Sequence, residues 1–271
     1  MPLHRPYHPL PVRFPVHAPS EEALPDSVCP SLHSIPFRAM IHGQACSADV
    51  EVADAIQRWD LDKLLELLHD GADVHQGGPA ALKMAAQENL LEPVQDLVAM
   101  LQRSGVDINT IDQHGDTALT VAAREGHHEV VAALVDALLQ SGGDLNAANK
   151  HGFTPLSEAA YKGHRNAAAV LIEALLQSGG DLNAANEYGF TPLTRAAYMG
   201  RWDVVDMLAK ALRQSGGDVN VSTPGCGTAL TLALDDGNLE AADGLLKAGA
   251  IPSEQDIQDL ARLRGGHSQG S

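Results

Sequence analysis

The feature that most constrains this chain is a repeat with a step of 37 residues. The segments DTALTVAAREGH, FTPLSEAAYKGH and FTPLTRAAYMGR begin at residues 116, 153 and 190, which puts Thr117, Thr154 and Thr191 in register. The same step forward reaches Thr228, and the same step back from Thr117 reaches Ala80 of AALKMAAQEN. A shorter unit, ADAIQRWDLDKLLELLHDGADV, precedes that one. Thirteen residues, ALLQSGGDLNAAN, recur unchanged at 137–149 and 174–186. One such unit is too small to bury its own apolar face, so six in tandem must stack on one another.

Each unit carries its own start and stop signals. Thr-Pro-Leu opens a helix, because threonine satisfies an orphan amide and proline at the first helical position loses no hydrogen bond. Ala159-Ala160 and Ala196-Ala197 keep that helix thin, and Gly126, Gly163 or Gly200 ends it. A second helix follows, in which Val130, Val131, Leu134, Val135 and Leu138 recur at three- and four-residue spacing as one apolar stripe. Ser-Gly-Gly-Asp stops it, and LNAANKHGF, which has no face to bury, is predicted to form a projecting finger loop.

GFTPLSEAAYKGH followed by a Leu-rich helix and GGDLNAAN resembles the ankyrin repeat, over about residues 47–250. The resemblance implies an all-α ankyrin-repeat solenoid of helix-turn-helix units with finger loops. Against the family's period of about 33 residues, four extra residues lie between the exit glycine and the loop Asp. Gly126 to Asp144 spans 18 residues where Trp59 to Asp73 spans 14. At a rise of about 1.5 Å per residue this lengthens the outer helix by about 6 Å in the four central units. The first and last units keep the short form that suits an end. Beyond the last, Ser253-Glu254-Gln255-Asp256 reads as a capping box, and Ile257, Leu260 and Leu263 as one stripe ahead of Gly265-Gly266. The expected organisation is a proline-rich disordered leader over 1–46, repeats over 47–252, a C-terminal capping helix over 253–264 and a disordered tail over 265–271.

Composition agrees with closely stacked small-residue helices: 44% of residues are hydrophobic but only 4% aromatic. The leader holds nine of the 15 prolines, a density that opposes both helices and sheets. It is open to three readings: a passive tail, an export or docking segment, or the product of a start placed before Met40. Its acids and bases balance, so the net charge of −17 falls on the repeats. That field opposes nucleic-acid binding, which depends on Lys and Arg neutralising phosphates, and favours a basic protein partner. No apolar run approaches the roughly 20 residues that cross a bilayer. Cys29, Cys46 and Cys226 form no CxxC pair, so a reducing, cytoplasmic setting is expected, with secretion into a host cell as the alternative.

The family resemblance implies that a partner meets the finger tips and the exposed side of the inner helices, which line a concave groove. Subtracting what the scaffold requires leaves five aromatics, Phe153, Tyr161, Tyr188, Phe190 and Tyr198, all in the fourth and fifth units. The first of their slots holds Asp116 in the third unit and Gly227 in the sixth, so the repeat does not demand an aromatic there. With Lys150, His151, Lys162, Glu187 and Met199 around them they have the make-up of an interface centre and polar rim. The alternative is that Phe153 and Phe190 pack on their own fingers while Tyr161 and Tyr198 cover helix ends. A second, acidic face is drawn from Asp112, Asp116, Glu125, Asp235 and Asp236, with a plainly solvated surface as its alternative.

No enzymatic constellation competes with this. His127-His128-Glu129 lacks the second histidine of a zinc-protease helix at Ala132, and His114 and His151 sit on fingers about 8–10 Å apart, too far to share a metal. The Gly-Gly pairs precede Asp rather than a phosphate-loop Lys, and no histidine stands near Cys226 to activate it. Neither a cofactor nor a catalytic residue is expected. The functional reading is a monomeric protein-interaction module or adaptor, with two alternatives: a secreted bacterial effector that binds a host protein, or an inhibitor or immunity-type protein that blocks a basic enzyme.

Overall fold

The computed structural model describes residues 47–111 and 115–267, as a stack of helix pairs without a β-strand among the described residues. Expectations placed on the leader, on Cys29 and Cys46, on Asp112 and His114 and on the last four residues lie outside the described part. The inner and outer helices of the six units are α1 (Ser47–Arg58) and α2 (Leu61–His69), α3 (Val74–Gln87) and α4 (Leu91–Ser104), α5 (Ala118–Glu125) and α6 (His128–Ser141), α7 (Pro155–Lys162) and α8 (Arg165–Ser178), α9 (Pro192–Tyr198) and α10 (Trp202–Ser215), and α11 (Ala229–Asp235) and α12 (Leu239–Ala248). A last helix, α13 (Glu254–His267), follows.

The caps work as the repeat dictates. Thr117, Thr154, Thr191 and Thr228 each accept the backbone N–H three residues on, at α5, α7, α9 and α11. Outer helices of the second to fifth units are 14 residues long, against 9 and 10 in the first and sixth. Their apolar stripes make the core: Leu134, Leu138, Leu171, Leu175, Leu208 and Leu212 are all fully buried, packed against the paired alanines of the inner helices. Leu171→Ala is therefore expected to cost about 2–5 kcal/mol, seen as a lower urea midpoint with an unchanged m-value.

Polar side chains tie each unit to the next. Asn109, Asn146 and Asn183 donate Nδ2–H to the carbonyls of Asp144, Asp181 and Asp218 at 2.9, 2.9 and 2.7 Å. At the N-caps of α6 and α8, His127 and His164 reach back 3.0 Å to the carbonyls of Gln87 and Arg124. A carbonyl only accepts, so both rings carry the proton on Nε2.

Two local expectations are corrected. Between the first and second units no finger forms: α3 starts at Val74, directly after the N-cap Asp73, and absorbs the loop. Gly77 and Gly78 permit this, since a Cβ at Gly78 would stand 2.7 Å from Leu101 Cδ2. In α13 the buried residues are Asp256 and Leu260, with Leu263 half-buried in line with them, while Ile257 is 54% exposed. Asp256 turns inward because it accepts from the Ser253 backbone and hydroxyl while Ser253 Oγ accepts the Asp256 N–H, and this rotates Ile257 outward. The helix also continues through Gly265 and Gly266 to His267.

Candidate protein-binding groove

Fingers four and five are tight hairpin turns built by one asparagine each. Asn149 Oδ1 accepts from the N–H groups of His151 and Phe153 at 3.0 and 3.1 Å, and Asn186 Oδ1 from those of Tyr188 and Phe190 at 3.0 and 2.8 Å. This fixes where the finger aromatics leave the backbone. The fingers also stack closely: Gly152 has φ of 74°, and a Cβ there would stand 3.0 Å from Asn186 Cα. In the sixth unit Cys226 takes the glycine slot, and the turn is rebuilt with positive φ on Gly225 and Gly227 and a Thr223–Gly227 bridge. Burial pushes the Cys226 thiol up, away from a reactive thiolate.

Beneath the aromatics runs a chain of ion pairs crossing three inner helices. Arg124 Nη2 lies 2.6 Å from Asp116 Oδ1 and its Nε 3.5 Å from Glu158 Oε2, while Glu158 Oε1 lies 3.3 Å from Arg195 Nη1. Arg195 Nη1 also donates to Ser157 Oγ at 3.3 Å. Glu158 and Arg195 are buried, at 5% and 9% exposure. Burial pushes the Arg195 guanidinium down, against the pull of Glu158, whereas for Arg124 burial is outweighed by Asp116 and Glu158, which raise it.

Arg195 is clamped between two of the aromatics expected to be spare. Its Cζ lies 3.7 Å from the ring centroid of Phe153 and 4.5 Å from that of Tyr161. Both rings are half-buried, so they are corrected from unneeded surface groups to the walls of a guanidinium stack. Sequence reasoning missed Glu158 and Arg195, although a signal was present: both fall four residues after the cap threonine, where the third and sixth units have Val121 and Leu232.

The remaining residues are placed as follows. Phe190 and Tyr198 meet edge to face, with centroids 5.7 Å apart, and both are half-buried. Tyr188 is 47% exposed, and its hydroxyl is raised chiefly by a hydrogen bond with Glu187. His151 lies 3.7 Å from Glu187 and its ring stands 6.3 Å from that of Phe153. Lys162 Nζ sits 6.0 Å over Tyr161, Lys150 is exposed, and Met199 is half-buried at the end of α9. Of the expected acidic face, Asp112 lies outside the described residues. Asp116 is engaged by Arg124 and by Asn149 Nδ2, so it is corrected from a free acid to an internal link. Glu125 and Asp235 are exposed, and Asp236 accepts from Trp202 Nε1 at 3.3 Å. Burial, and after it Asp259, Asp256 and Asp236, push the Asp235 carboxyl up.

Two further observations bear on chemistry. Among the described residues no group of three or more His, Cys, Asp and Glu is arranged to hold a metal, and no helix is long and apolar enough to cross a membrane.

Stacked two-helix units joined by finger loops define a helical solenoid scaffold. The profile of a family described as ankyrin repeats (3 copies) matches residues 53–137, 82–174, 132–223 and 172–256, and the chain belongs to that family. Ankyrin repeats are generally protein–protein interaction modules and typically non-enzymatic scaffolds. Among curated proteins no significant match to the chain is found.

Proposed function

We propose that this chain is an adaptor that holds a partner protein in the groove and finger loops of its fourth and fifth units. The contact centres on Phe153, Tyr161, Tyr188, Phe190 and Tyr198, with Lys150, His151, Lys162, Glu187 and Met199 as its rim. The observation that carries this reading is a cost to the fold. Asn149 Nδ2 bonds Asp116, but one unit later Phe153 takes that slot, and the buried Nδ2 of Asn186 has no acceptor. An unpaired buried donor costs about 1–3 kcal/mol, and what Phe153 provides in exchange is the ring face on which Arg195 stacks, so the aromatic at this slot serves the face formed by the inner helices and not the finger's own hydrogen bonding. The net charge of −17 favours a basic partner, which it would steer toward the groove.

Capture of a partner by the immobilised full chain tests the reading. Tyr188→Ala is expected to weaken capture about tenfold or more, as a truncated interface anchor does. Glu173→Ala, on the exposed side of outer helix α8, leaves it unchanged. Equal loss in both variants would place the contact on the outer helices and overturn the assignment.

A further inference from the structure

The ion pairs along the inner helices alternate in sign, and the alternation stops on a cation. Asp116 is followed by Arg124, Arg124 by Glu158 and Glu158 by Arg195, from the start of α5 through α7 to α9. The next position of the series, four residues after Thr228, is the half-buried Leu232, so the sixth unit offers no acid there. Arg124 therefore has two carboxylates, whereas Arg195 has one and shares it. The electrostatics follow: at Arg124 burial is outweighed by Asp116 and Glu158, but at Arg195 burial prevails over Glu158.

Arg195 also has donors to spare. Its Nη1 serves both Ser157 Oγ and Glu158 Oε1, each at 3.3 Å, while Nε and Nη2 find no acceptor among the described residues. The buried side-chain polar atoms that lack a partner are all amide atoms of asparagines, so these two nitrogens touch solvent, although the side chain as a whole is only 11% exposed. Phe153 and Tyr161 cover the guanidinium at 3.7 and 4.5 Å, which leaves approach in its own plane. That is how a planar carboxylate meets a guanidinium, through parallel N–H bonds, and the stack already holds the fork in place. A second cation, Lys162, stands 6.0 Å over the Tyr161 ring. The overall negative charge acts at longer range and is screened over about 8–10 Å, so at the stack these neighbouring groups set the sign.

We propose that the open edge of Arg195, framed by Phe153 and Tyr161, receives one carboxylate side chain, Asp or Glu, of a partner protein, which supplies the acid missing from the end of the alternating series. The proposal rests on the reading of this face as protein-binding and names the chemistry of the residue it grips. A partner that is basic overall then carries one acid where it meets the stack.

The test is a titration of the full chain, followed by the Arg195 Nε–H resonance and the ring resonances of Phe153, with the peptide Gly-Ser-Glu-Ser-Gly blocked at both ends. The same peptide with neutral glutamine in place of glutamate is the control. The glutamate peptide is expected to shift the Arg195 signal saturably and the glutamine peptide to bind about tenfold more weakly, the difference between a charge-assisted and a neutral pair. Arg195→Lys keeps the charge but loses the fork, and should cost a similar factor while keeping the helical signal. Lys162→Ala should cost no more than about fivefold, as an exposed charge does. Equal binding of the two peptides to the wild type overturns the proposal, whether or not Arg195→Lys folds. A larger loss in Lys162→Ala than in Arg195→Lys also overturns it, because the carboxylate then sits on the exposed lysine. Partner capture that falls in Tyr188→Ala but is indifferent to a folded Arg195→Lys overturns the carboxylate seat alone. Capture that survives Tyr188→Ala undiminished overturns the protein-binding reading beneath it.

Discussion

Phe190→Ala combined with Tyr198→Ala is expected to weaken partner capture by a factor of about 100 or more, each ring counting as an anchor of about 2 kcal/mol, with incomplete additivity. The rings touch each other at 5.7 Å and are half-buried, so their removal is not silent for the fold. An aromatic pair is worth about 0.5–1.5 kcal/mol beyond its area. In a folded part of this size, that lowers Tm by a few degrees, at about 2–4 °C per kcal/mol. The far-UV helical signal and the cooperativity of melting should stay. Affinity measurement beside a melting curve separates the outcomes. Unchanged affinity with an intact fold would move the contact off the groove, and a collapsed transition would make the rings core.

Glu158→Ala is expected to cost about 3–5 kcal/mol, because it strands the buried Arg195 with only Ser157 as a polar partner and leaves Arg124 to Asp116 alone. The companion variant, Glu158→Val with Arg195→Leu, puts at this slot the residue types that the third and sixth units already carry, Val121 and Leu232. Exchanging a buried ion pair for well-packed apolar residues is often neutral or stabilising by about 1–4 kcal/mol. Urea unfolding should therefore place the double variant at or above the wild type and the single one well below it. The double variant also removes the guanidinium that holds Phe153 and Tyr161 apart, so capture should fall even as stability holds. A cost below about 1 kcal/mol for Glu158→Ala would mean that Arg195 turns out of its stack into solvent, and the groove floor would then be no fixed platform.

The same pair of charges marks how far sequence reasoning reaches. Thr154 caps an amide three residues away, Ala159-Ala160 sets the thickness of one helix, and Gly163 ends it. All three act within a turn or two of backbone, so the repeat, its caps and its long outer helices are legible in a single unit. The aromatic slots were legible too, as departures from what the other units tolerate. Their surroundings were not. Whether Phe153 faces solvent or a guanidinium depends on Arg195, 42 residues away, and on the rotamer it adopts once Glu158 has been brought beside it.

What the sequence by itself determined is the stacked helical scaffold and the two units in which unusual side chains gather. Only the tertiary structure decided which of those side chains are occupied: Phe153 and Tyr161 on Arg195, Asp116 on Arg124, Ile257 displaced outward by Asp256. The physical reason is range. Caps and helix stops are set by hydrogen bonds to near neighbours along the chain, whereas a stack or ion pair between units is set by the register of one helix on the next. That register is fixed by the burial of Ala and Leu across all six units together.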